Sequence, residues 1–64
     1  MEMNDRVIAA IEKNIKLQPN QFEWDSNRFC WSFLDTTTGV TTDIDEQGFV
    51  TKWIERKIAE KYLP

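Results

Sequence analysis

The sequence predicts an α+β domain in which a helix, a three-stranded antiparallel meander and a C-terminal helix follow one another (α-β-β-β-α), with both helices on one face of the sheet. Three observations predict it. Apolar residues recur at helical spacing from Val7 to Ile15, aromatic residues alternate with polar ones from Phe22 to Phe33, and helical spacing returns at Val50, Trp53, Ile54, Ile58 and Tyr62. With 64 residues the chain holds one small core, so residues 1–64 form a single domain.

The first helix is expected from Asn4 to Leu17. Val7, Ile8, Ile11 and Ile15 share a face, Asn4 or Asp5 can cap the free backbone N–H groups of the first turn, and Pro19 enforces the stop. From Asn20 the period drops to two. Phe22 and Trp24 alternate with Glu23 and Asp25, and Phe29, Trp31 and Phe33 alternate with Cys30 and Ser32, which marks strands from Gln21 to Asp25 and from Arg28 to Asp35. A two-residue turn at Ser26 and Asn27 would set Asp25 opposite Arg28, Trp24 opposite Phe29 and Phe22 opposite Trp31, gathering these aromatics on one face. A second turn within residues 36–39 pairs Asp35 with Val40, Phe33 with Thr42 and Trp31 with Ile44, giving a third strand from Val40 to Ile44.

The last segment is read as a helix, capped by Asp43 or Asp45 and carrying Arg56, Lys57 and Lys61 near its end, where the helix dipole favours cations. The run from Asp45 to Gly48 also reads as a hairpin turn. That alternative sets Ile44 opposite Phe49 and Val40 opposite Trp53, adding a fourth strand before a shorter helix from Trp53.

Composition excludes more chemistry than it suggests. The chain has no His, so the commonest neutral-pH general base is missing and neither a Ser-His nor a Cys-His nucleophile can be assembled. Cys30 is the single cysteine, which excludes an internal disulfide and points to a reducing cytoplasm. Flanked by Phe29 and Trp31 without local positive charge, it reads as a structural thiol. The carboxylates of residues 23–46 read as solvated turn and strand-face groups, because so short a chain has little room for a catalytic pocket. No enzymatic activity and no cofactor are expected.

One stretch has metal-ligand spacing. Asp43, Asp45, Gln47 and Gly48 resemble the first half of an EF-hand calcium loop, which implies a calcium-responsive module as one alternative. The resemblance stops short of the loop's last acidic ligand, whose place is taken by Ile54, and the preceding residues alternate like a strand. No metal ligands are assigned.

The net charge of −3 is unevenly spread: residues 1–22 are neutral, residues 23–46 carry −5 and residues 47–64 carry +2. Lys52, Arg56, Lys57 and Lys61 make a second alternative, a nucleic-acid-binding domain using a basic terminal helix. The acidic surroundings of the aromatic strands argue against it. The aromatic face reads first as the floor of the core beneath both helices. Still, three Trp exceed what that core needs, and Trp is enriched at binding hot spots. The leading expectation is therefore a non-enzymatic protein–protein interaction module, an adaptor, regulator or inhibitor of the phage or mobile-element type. It would engage another protein or a second copy of itself as a homodimer, with Trp24, Trp53, Arg56 and Lys57 as candidate contacts. The charged N-terminal stretch does not read as a signal peptide, and no apolar run has the length of a membrane span.

Overall fold

Asn4 sets where the first helix begins. In the computed structural model, which describes residues 1–13 and 16–54, its extended backbone precedes α1 (Asp5–Glu12), and its carboxamide oxygen accepts from the Val7 N–H at 3.0 Å. This satisfies one of the free donors of the first turn. The amide nitrogen of the same side chain donates to the Glu46 carbonyl at 2.8 Å, tying the helix start to a distant hairpin. α1 buries Val7 and Ile11, one turn apart, against Ile44, Trp31 and Phe22. Removing an aliphatic side chain of this size from water contributes about 1.5–3 kcal/mol, so these few residues supply much of the core. Ile15, the last residue of the expected stripe, lies outside the described residues.

A 3-10 turn at Pro19–Gln21 leads into the sheet. Its strands are β1 (Glu23–Asp25), β2 (Cys30–Leu34), β3 (Val40–Asp45) and β4 (Val50–Ile54), all antiparallel and in the order β1-β2-β3-β4. The fold is α+β, but the expected three-stranded meander with a C-terminal helix is overturned. Residues 50–54 form a fourth strand instead of opening a helix. The reason is local: Val50, Thr51, Trp53 and Ile54 are β-branched or aromatic, and the 3–4 spacing of Val50, Trp53 and Ile54 is too short a run to separate the two periods. The part of the expected helix beyond Ile54 lies outside the described residues.

The registers divide three ways. Between β2 and β3 the expected pairs Trp31↔Ile44 and Phe33↔Thr42 are found. Between β1 and β2 the pairing is displaced by two residues, giving Trp24↔Trp31 and Asp25↔Cys30, because the connection is a four-residue loop and not a two-residue turn. The displacement preserves the faces but ejects Phe29, which is 73 % exposed.

Between β3 and β4 the hairpin alternative is displaced by one residue. Ile44 faces Val50, Val40 faces Ile54 and Thr41 faces Trp53. Gly48, at φ 91, donates to the Asp45 carbonyl while Asp45 N–H donates to the Phe49 carbonyl, so one residue on β3 is opposed by two across the turn. This bulge adds one residue to the β4 side, and a one-residue slip exchanges the two faces of a strand. Trp53 consequently lies on the face away from α1.

Candidate functional site

The face away from α1 carries alternate residues of every strand, among them Asp25, Cys30, Ser32, Asp43 and Trp53. Arg28, in the β1–β2 loop, reaches back over them. Its Nε donates to Asp25 at 2.8 Å, Nη1 to Asp43 at 2.6 Å and Nη2 to the Ser32 hydroxyl at 3.2 Å, while the guanidinium stacks 5.3 Å from the Trp53 ring centroid. Asp43 also accepts from Ser32 Oγ at 2.7 Å and from the Trp53 indole N–H at 2.8 Å. The cluster thus joins all four strands through one cation, two carboxylates, a hydroxyl and an indole.

Its electrostatics follow from those contacts. The Arg28 hydrogen bond holds the Asp25 carboxyl below its ordinary value, and Asp25 in turn raises the guanidinium. Cys30 is buried beneath the cluster, and burial, reinforced by the Asp43 charge, pushes its thiol up. A raised thiol is a poor nucleophile. The Ser32 hydroxyl donates to Asp43, a carboxylate already engaged by Arg28 and the Trp53 indole, and accepts from Arg28.

Of the four expected contact residues, the structure brings only Trp53 into this cluster, where it is 37 % exposed. Trp24 lies on the opposite face at the β1 edge, half-buried, packed edge-on against Trp31 at 5.6 Å and Phe29 at 6.4 Å. Arg56 and Lys57 lie outside the described residues. The calcium-like stretch has another explanation. The Asp45 carboxylate accepts from the N–H groups of Gln47 and Phe49, and Asp43 is engaged by Arg28, Ser32 and Trp53. An ion on this stretch would have to displace those donors.

Two surfaces with exposed or apolar side chains meet at β4. β4 is an edge strand, paired on one side by β3 and on the other by no strand among the described residues. Phe49, Val50, Trp53 and Ile54 are all exposed on and beside it. On the helix side an open cleft of about 270 Å³ separates α1 from β4, with Ile11, Phe22, Ile44 and Val50 forming apolar walls and Lys13 and Lys52 beside them. With residues 50–54 read as a helix, the sequence places neither surface at these residues. The β-branched run and Gly48 were the signals for them.

No family model, curated protein or solved structure matches the chain. Among the described residues no helix is long and apolar enough to cross a membrane.

Proposed function

We propose that the protein is a non-enzymatic interaction module, an adaptor, regulator or inhibitor that engages another protein through β4. The observation that carries this reading is the edge strand. Among the described residues it offers an unpaired row of backbone donors and acceptors bordered by four exposed apolar side chains, the arrangement that strand addition uses. The cluster around Arg28 supports it indirectly, since Trp53 is held in place by Asp43 and Arg28 and presents a fixed surface to an incoming strand. A buried Cys30 with a raised thiol is compatible with work in a reducing cytoplasm.

Affinity capture from a native lysate with the wild type and an Ile54→Asp variant as parallel baits tests the reading. Ile54 is 61 % exposed, so the substitution leaves the core intact. A protein retained by the wild type and lost from the variant is the expected result, and a wild-type bait that retains nothing above background removes the basis of the reading.

A further inference from the structure

We propose that the segment β4 takes up is an extended peptide with an acidic residue between two apolar ones on its helix-side face; this rests on the interaction reading above and specifies its partner. A strand added to β4 lies about 4.8 Å away and places every second side chain beside Val50, Lys52 and Ile54, the helix-side residues of that strand. Val50 and Ile54 call for apolar neighbours, and Lys52 calls for an anion. Like charges directly opposite destabilise a strand pair, whereas opposite charges support it. A second copy paired antiparallel about Lys52 would set Lys against Lys, so this register disfavours self-association.

The cleft beside β4 repeats the same chemistry. Its apolar walls are accompanied by Lys13 and Lys52, and neither side-chain ammonium makes a hydrogen bond or ion pair among the described residues. Among the described residues, Asp25 and Asp43 are bound to Arg28 on the opposite face, and Asp35, which shares a shallow helix-side hollow with Lys52, accepts from the Thr37 hydroxyl and backbone N–H. The helix side of β4 is therefore cationic and apolar together, and an acidic, apolar strand complements both properties. The backbone edge of β4, unpaired among the described residues, distinguishes a peptide from an apolar acid lacking amide groups, since only a chain of amides continues the ladder.

The test uses the whole protein and two fluorescein-labelled peptides, Ser-Val-Thr-Glu-Thr-Val-Ser and its counterpart with Lys in place of Glu. Both read the same in either direction, so strand polarity does not matter. By fluorescence anisotropy at low salt, the wild type is expected to bind the acidic peptide about five- to tenfold more tightly than the basic one, with the preference fading as salt is added. Lys52→Glu should invert the preference, and Lys52→Gln should abolish it; an inverted preference is an outcome that a merely misfolded variant would not give. Equal affinities unmoved by Lys52→Glu overturn the inference while leaving the interaction reading standing, as does binding of neither peptide. A dimer by light scattering that Ile54→Asp dissolves also overturns it, because the occupant of β4 is then a second copy. The interaction reading itself fails only with the empty capture described above.

Discussion

Counted from their opening aspartates, the β1–β2 and β2–β3 turns each span five residues, 25–29 and 35–39, and open the same way. Each begins with an aspartate, Asp25 or Asp35, whose carboxylate accepts from the backbone N–H two residues on, at 3.0 and 2.9 Å. Each ends with a residue in the left-handed region, Phe29 at φ 51 or Gly39 at φ 76. What differs is how the middle is held. In the second loop the Thr37 hydroxyl donates back to Asp35 at 2.6 Å and the Gly39 N–H to the Asp35 carbonyl at 2.8 Å, so every contact is local. In the first, Arg28 leaves the loop to bind Asp43 and Ser32, and Phe29 closes it with a side chain where glycine would fit without strain. The β2–β3 loop is thus held within itself, whereas the β1–β2 loop adds to its local Asp25 contacts a tie to β2, β3 and the Trp53 ring of β4. The comparison teaches that a loop's backbone path and its source of stability are separable.

The largest effect expected from breaking this comparison is at Gly39. Gly39→Ala puts a Cβ at φ 76 and should lower stability by about 1–2 kcal/mol, read as a shift in the urea midpoint with an unchanged slope. A midpoint within error of the wild type would show that the loop relaxes to another turn and that its path is not locally fixed.

Phe29 should respond in the opposite sense to the usual ranking of Ala over Gly. Phe29→Ala keeps the left-handed backbone cost and loses the edge-on contact with Trp24, whereas Phe29→Gly loses only the contact and the constraint on the unfolded chain. The glycine variant is expected to be about 0.5–1 kcal/mol more stable than the alanine variant, on the magnitude of such glycine–alanine exchanges. If alanine proves the more stable, the left-handed geometry is not what limits this loop.

The two hairpins also mark where the sequence was readable. The β2–β3 register could be read because Asp43 on the aromatic face was the penalty for a slip, and the glycine announced the left-handed position. The β1–β2 loop length could not, since nothing in Arg28 or Phe29 says that a phenylalanine will take a glycine's conformation when Arg28 is anchored elsewhere. At β4, Gly48 closes against α1: a Cβ there would lie 3.0 Å from the Arg6 carbonyl oxygen. That contact is tertiary, and with it came the bulge that moved Trp53 to the other face. Trp53, expected to pair across from Val40 or to lie on a helix, therefore sits on the far face of β4, and the edge strand and cleft followed from the same unreadable step. Aspartates at positions 25, 35 and 45 open all three turns by the same hydrogen bond, a ten-residue recurrence legible in the sequence and missed there.

The smallest effect separates the two loops by the kind of partner each aspartate has. Both carboxyls titrate below their ordinary value of 3.8, Asp25 chiefly through the Arg28 side chain and Asp35 chiefly through the Thr37 hydroxyl. A carboxyl whose folded value is lowered contributes stability above its unfolded value and loses it as pH falls through the folded one, because the unfolded chain binds the proton more readily there. Thermal unfolding followed from about pH 5 to about pH 2 should therefore show a decline that Asp25→Asn and Asp35→Asn each make shallower. Salt distinguishes them. The Asp25 contribution involves an exposed ion pair and should shrink as ionic strength rises, while the Asp35 contribution comes from a neutral hydroxyl and backbone N–H groups and should not. Equal salt sensitivity of the two variants would mean that the first loop, like the second, is held by its own backbone and that Arg28 adds only contact with β3.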